Sequence, residues 1–437
     1  MACADAGVGL DEPFDCRPDA AAAAASVLAR TPELDTQLPS RINVLFGGCP
    51  ACRDHAKVNE AGFVSVIAAD GTLGYELWLG GSLGKSQPTL GFLAVPFLPR
   101  SEVLAALHAL VDVFVAHGAF EKPSKARLKF LIAELGRPDF MELFLQAFGQ
   151  ARQRPWPAPE PIPVPDAADV EQSLGCAPEG GWSSGVRPQR TPGRALVTIH
   201  VPLGDLDGDD LRLVADLADE VAGGALTVTK NQDLLLRDVA LAAVPHVRDV
   251  LARAGLSLTG ADLATDIRAC TGGPVCSLAI TPSQAVAARL LDSPVLRRNA
   301  GLRLAVSGCP NACAQHQIAD LGFSGGKVTI GGAAMHGYQV WLGGDLRADR
   351  IGRVVGRIAE SDVPSITESV VGVWEALRDR GETLGDTVDR IGIEAFRAQI
   401  GVIFDGLWAP GPEPDDPGRI ETLGIAARRV LPLAVAG

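Results

Sequence analysis

Four cysteines in the second half of the chain, Cys270, Cys276, Cys309 and Cys313, stand in two blocks, A-C-T-G-G-P-V-C and S-G-C-P-N-A-C. Two thiolate pairs on separate loops suit a cubane iron–sulfur cluster, because each iron takes one protein sulfur and the fold must gather four. The pattern reads as a [4Fe–4S] site. Zinc also accepts four thiolates, but only the x3 gap of Cys309 and Cys313 matches its usual spacing, and the x5 gap of Cys270 and Cys276 does not. Disulfides are the third reading. Nine cysteines is an odd number, however, and the chain is expected to lack a secretory signal, which fits a reducing compartment. Gly308 and Pro310 flank Cys309 and suit a tight loop that turns N–H groups toward cluster sulfurs.

The elements that must position these loops come twice. Aligning Gly48-Cys49-Pro50 with Gly308-Cys309-Pro310 sets Gly62-Phe63 on Gly322-Phe323 without a gap, and Y-E-L-W-L-G-G from Tyr75 returns as Y-Q-V-W-L-G-G from Tyr338. Each copy is expected to run strand, cysteine loop, helix, strands, then amphipathic helices such as Ser101–Gly118 and Asp349–Arg380, where apolar residues recur at three and four. Arg152–Gly180, rich in Pro and Ala, reads as a linker. Beyond it, Ala195–Val201 and Leu226–Asp238 read as strands flanking the helix Asp209–Ala222, with a further helix Ala242–Ala254. The fold class is therefore α+β, with a first module over 1–151, the linker over 152–180, a β-α-β-α piece over 181–258 and a second module over 259–437.

The first copy departs from the second at its cysteines. Cys52 falls opposite Ala312 and Arg53 opposite Cys313, and no C-x5-C precedes them, so this copy reads as one that lost its cluster and serves as scaffold. The sharper alternative is a second metal on Cys3, Cys16, Cys49 and Cys52, since C-P-A-C has ligand spacing. Against it, a free cysteine is often just a small buried apolar residue.

These stretches resemble the sirohaem-dependent nitrite and sulfite reductases. Ser307 to Phe323 (S-G-C-P-N-A-C-A-Q-H-Q-I-A-D-L-G-F), Tyr338 to Gly344 and Val186 to Gly193 (V-R-P-Q-R-T-P-G) carry the likeness, which covers nearly the whole chain. The resemblance implies a [4Fe–4S] cluster on Cys270, Cys276, Cys309 and Cys313, and sirohaem whose iron shares Cys313. Asn311, in Cys-Pro-Asn, would border the cofactor. It implies six-electron reduction of nitrite to ammonia or sulfite to sulfide, electrons from ferredoxin or a flavoprotein, and a pseudo-twofold pair of modules with a ferredoxin-like half-domain between them. Such chemistry brings in a small anion and needs cations around it. The family places a basic pair after Leu-Pro, and here Leu38-Pro39 is followed by Arg41 and Asn43, which a strand would set on one face. Nitrite reductases resemble Lys-x-Asn at this place, so Asn43 leans toward nitrite. Lys230, Asn231 and Gln232 look like the structural version of a segment that elsewhere touches cofactor.

The resemblance also implies a half-domain ahead of the first module, of which Met1 to Asp15 resembles only the far junction. An upstream start, a partner chain supplying the half-domain, or a protein that has given up reduction are the three readings, and an apolar or edge-exposed surface is expected on the half that remains. Two other functions stay open: a precorrin-3B synthase-like enzyme of cobalamin biosynthesis, and a non-catalytic iron–sulfur or tetrapyrrole-binding subunit. A net charge of −13 argues against binding nucleic acid or anionic membranes. No stretch gives eighteen uninterrupted apolar residues, and a cytoplasmic location is expected. The basic runs Lys122, Lys125, Arg127, Lys129 and Arg187, Arg190, Arg194 are candidates for a donor surface or for haem carboxylates, or a solvated face.

Overall fold

A computed structural model describes residues 1–403, except 39–40, 85, 123, 164–166 and 331–332. The first module is built on a sheet of β1 (Val44–Gly47), β2 (Ala61–Ile67), β3 (Leu73–Leu79) and β4 (Phe92–Pro99) in that order, with β1 and β2 parallel and the rest antiparallel. The central piece has β5 (Val186–Pro188), β6 (Arg194–Ile199), β7 (Leu226–Val228) and β8 (Leu234–Ala240) in the order β5-β6-β8-β7, all antiparallel. The second module has β9 (Arg268–Ala269), β10 (Leu304–Ser307), β11 (Leu321–Ile330), β12 (Ala333–Leu342) and β13 (Arg353–Ala359). Their order is β13-β12-β11-β10-β9.

The α+β pseudo-twofold repeat extends to hydrogen-bond register. Val44 pairs with Ala61 in β1–β2, and Leu304 pairs with Leu321 in β10–β11; Gly62 faces Trp78, and Gly322 faces Trp341. Each copy then turns through a short 3-10 segment into a 15-residue helix, Val103–His117 or Val363–Leu377, whose apolar stripe lies on its own sheet. The sheets are half-covered, so inward positions such as Tyr75 and Tyr338 are fully buried.

Several expected elements are redrawn. Asp349–Arg380 is not one helix: Arg353–Ala359 is β13, where R-V-V-G-R-I-A carries β-branched residues that favour a pleated surface, and the helix begins at Val363. Leu226–Asp238 is a hairpin, β7 and β8, broken at Thr229–Asp233 where Lys230, Asn231 and Gln232 make the turn. The segment Arg152–Gly180 contains the helix Ala167–Leu174. The helix expected after the cysteine loop exists only in the first module, Pro50–Ala56; the second has a 3-10 turn, His316–Ile318.

The face of the central sheet turned away from helices Gly208–Val221 and Val244–Arg253 is not left open. Leu196 and Leu235 on that face are buried with Val8 and Ala4. The same N-terminal run is tied down by polar contacts: Arg187 clamps Asp5 through two bonds of 2.7 and 2.9 Å, Arg190 donates to Glu12 O and Arg237 to Ala6 O. The expected exposed apolar surface is thus filled by residues 4–12. What does remain open is the β7 edge, where Val228 is exposed.

Candidate cluster site

The four cysteines of the second module converge. Cys270 follows β9 directly, Cys309 and Cys313 lie on the loop after β10, and pairing of β9 with β10 brings the two blocks side by side. The Gly308 N–H donates to Cys270 Sγ at 3.0 Å, and Ser283 Oγ lies 3.2 Å from the same sulfur. Backbone bonds from Ile280 and Thr281 to Gly308 O, at 2.8 and 3.1 Å, lash the Cys276 loop to the Cys309 loop. The Cys313 thiol is raised from its ordinary range by burial, then by the charges of Cys270 and Cys309 and, more weakly, Cys276, while Arg41 opposes them. Four of the residues singled out in the sequence, Cys270, Cys276, Cys309 and Arg41, therefore act electrostatically on the fifth, Cys313. Cys309 is buried and Cys313 exposed, so the loop shows one sulfur to the open side. One buried sulfur, two half-buried ones and one outward sulfur, with the Gly308 N–H on Cys270, fit a cubane with a shared outer ligand.

Asn311 is on the same loop, with its carbonyl against Gly84 of the first module. Arg41 is exposed just ahead of β1, outside the regular strand, so the expected alternation of 41 and 43 does not operate there. Asn43 has a backbone role instead: its N–H donates to Glu60 Oε2 at 2.8 Å and its carbonyl accepts from Ala61. Arg303, its counterpart in the second copy, does the same with Asp320 and Leu321.

The modules meet across the pseudo-twofold axis by exchanging equivalent groups. Lys57 Nζ reaches Asp349 at 2.5 Å and Leu346 O at 3.4 Å, and Gln317, its counterpart, donates to Leu83 O at 3.3 Å. Val58, Leu83, Ala312, Ile318 and Leu346 form the apolar seam beneath. On the axis His55 and Gln315, again equivalent positions, touch each other at 2.9 Å, and Arg268 donates to the same Gln315 oxygen at 3.0 Å. Burial lowers His55 to about 3 and Arg268 to about 10. Local sequence carried no sign of this seam, because its partners lie more than 200 residues apart.

The basic runs are largely consumed by structure. Lys129 is buried and donates to the carbonyls of Gly84, Ser86 and Gln87 at 2.7–3.0 Å, holding the loop that abuts Asn311; burial lowers it to about 8. Arg127 pairs with the fully buried Glu60. Gln232 makes a two-way bond with the Ala269 backbone, at 2.8 and 3.0 Å, and Lys230 donates to Ala51 O, so this turn joins the central piece to both modules.

The first module also gathers sulfur. Cys3, Cys49 and Cys52 have Sγ atoms all within 4.8 Å of one another, with Cys3 and Cys49 at 3.5 Å. Cys3 stands where Cys270 stands in the second copy: its N–H bonds to Phe46 O as that of Cys270 bonds to Val306 O, and Ala2 pairs with Phe46 as Ala269 pairs with Val306. The only sequence trace is the dipeptide Ala-Cys in both places. Cys16, though buried, is outside this group.

The family described as "Nitrite and sulphite reductase 4Fe-4S domain" matches residues 1–151 and 262–405, and the "Nitrite/Sulfite reductase ferredoxin-like half domain" matches residues 187–254. The chain belongs to this nitrite and sulfite reductase family, whose cofactors are the [4Fe–4S] cluster and sirohaem expected from the sequence. It is 28% identical over 341 residues to a ferredoxin–nitrite reductase of Synechococcus elongatus, covering 77% of this chain and 63% of that one. It is likewise 28% identical over 348 residues to a ferredoxin sulfite reductase of Mycobacterium tuberculosis, covering 76% and 59%. Its fold is similar to the solved NirA protein of M. tuberculosis, with a TM-score of 0.74 at 26% identity, over 91% of this chain and 71% of that one. The chain thus spans about 60% of the length of the curated relatives it matches. No helix among the described residues is long and apolar enough to cross a membrane.

Proposed function

We propose that this chain reduces a small oxyanion, nitrite to ammonia or sulfite to sulfide, with Cys270, Cys276, Cys309 and Cys313 as cluster ligands and Cys313 also facing sirohaem. The observation that carries the reading is the meeting of these four cysteines on two interlocked loops, with the Arg41 charge acting on the exposed one. When bound, the cluster and haem supply electrons one at a time to the anion. The chain's own residues do the rest. Gly308 N–H stabilises charge on the Cys270 sulfur, Arg41 draws the anion and donates hydrogen bonds to its oxygens, and the Lys129-braced loop fixes Asn311 at the edge of the site. Ferredoxin is the donor this reading expects, in keeping with the names of both relatives. Asn43 is assigned to the site only through its position next to Arg41. Its two backbone bonds make it a fixed point of the strand entry rather than a mobile donor.

The test is turnover of nitrite and of sulfite by the purified chain with a chemically reduced donor, alongside an absorption spectrum and iron count. Turnover with a Soret band and about five irons per chain is expected. Four irons with no tetrapyrrole and no turnover would favour the iron–sulfur subunit reading instead.

A further inference from the structure

We propose that the first module binds a single zinc ion on Cys3, Cys49 and Cys52, with Glu12 completing the site. Tetrahedral zinc with Zn–S bonds of about 2.3 Å holds its sulfurs roughly 3.8 Å apart. The three Sγ atoms here lie within 4.8 Å of one another, with one pair at 3.5 Å, so they would close on one ion with small side-chain adjustments. A cubane needs each sulfur on a different iron and cannot use so tight a group. Glu12 accepts from Gly48 N–H and Cys49 N–H at 2.9 and 3.1 Å through its two oxygens, so a carboxylate is already locked onto the loop that carries Cys49. Lys230, on Ala51 O inside C-P-A-C, supplies a positive charge against the three thiolates.

The site has an evident structural consequence. Cys3 is on the edge segment paired with β1, Cys49 and Cys52 are on the loop and helix after β1, and residues 5–12 run from Cys3 across the central sheet to Arg187, Arg190 and Arg237. An ion at this point fastens the run that covers the sheet. The inference is independent of the reductase reading, because it concerns zinc in the first module rather than iron in the second.

The experiment is metal analysis of the full-length chain for zinc and iron, with cobalt(II) substitution as a spectroscopic probe. About one equivalent of zinc per chain is expected in addition to iron, and a tetrahedral cobalt–thiolate spectrum after exchange. Cys52→Ala, which places in the first copy the residue found at position 312, is expected to lose zinc and the cobalt spectrum while keeping iron and its visible absorption. Cys16→Ala, a buried cysteine outside the trio, is expected to keep both metals. Zinc at background in the wild-type chain even after incubation with zinc salt, zinc content unaffected by Cys52→Ala, equal loss in Cys16→Ala, or a Cys3–Cys49 disulfide in peptides mapped without reductant would each overturn the proposal.

Discussion

The two modules share one backbone plan and differ in where their sulfur sits. Both place a cysteine after the first edge segment, Cys3 or Cys270, and another at the loop after the next strand, Cys49 or Cys309. They part at the remaining two positions. The second module adds Cys276 and Cys313, spreading four sulfurs over two loops with one exposed; the first has Gly9 and Arg53 near those places and adds Cys52 one residue earlier, on a helix that turns it inward. Arg53 is then spent on Glu76, with bonds of 2.8 and 2.9 Å. The lack of a counterpart to Cys276 and a one-residue shift on a short helix therefore replace sulfurs spread over two loops with a closed, compact trio. The open set looks outward, where a second cofactor and a substrate can reach it.

That contrast is broken most severely at the cluster. Cys276→Ser is expected to abolish iron binding and turnover, read by iron analysis and the visible spectrum, whereas Cys52→Ala leaves both intact; iron retained in full by Cys276→Ser would refute the ligand assignment. Next in size is Arg41, whose counterpart in the second copy is Gly301, so only one module offers a cation there. Removing a charge-stabilising donor costs on the order of 100-fold, and Arg41→Ala should lower kcat/KM for nitrite or sulfite by about that factor with the spectrum unchanged. A spectrum that changes along with the rate would make Arg41 structural.

Acid comes third. Each module holds a histidine, the half-buried His55 and the buried His316, which desolvation lowers to about 3 from an unfolded value near 6.5. The folded state keeps these rings neutral while the unfolded state takes up protons, so their contribution to stability is complete above pH 6.5 and declines as pH falls toward 3. The slope is about 1.4 kcal/mol per pH unit for each ring. Urea midpoints measured from pH 7.5 to 5 should fall, and His55→Gln, which matches Gln315, should remove the share of the slope that His55 contributes, leaving that of His108 in the same module. The smallest effect is at the glycines before the seam. A Cβ on Gly81 would lie 2.2 Å from Lys57 O, and one on Gly344 would lie 2.4 Å from Gln317 O. Gly81→Ala and Gly344→Ala should each cost about 1–3 kcal/mol in thermal or urea unfolding, and by similar amounts. A large inequality between them would show that the two halves of the seam are not energetically equivalent.

Much of this was legible in the residues. The duplicated G-C-P, G-F and W-L-G-G stretches placed two modules, and helices expected at Asp209–Ala222 and Ala242–Ala254 are found at Gly208–Val221 and Val244–Arg253. Amphipathic periodicity is a local signal, and Asp207 caps the first of these helices through bonds of 2.8 Å to Asp209 N–H and Asp210 N–H. The same signal misled at 349–359, because V-V-G-R-I-A satisfies a helical stripe and a half-buried strand about equally. Pairing with β12 decided it.

By itself, then, the sequence determined the repeat, the family and the four cysteines on two loops, since these depend on residue type and on spacings of a few positions. Tertiary structure alone decided that Cys3 takes the place of Cys270, that residues 4–12 cover the central sheet, and that Lys57 and Gln317 trade carbonyls across the axis. Each of those pairs is separated by tens to hundreds of residues. Their meeting is set by strand register and by the closing of one module on the other, which no local pattern encodes.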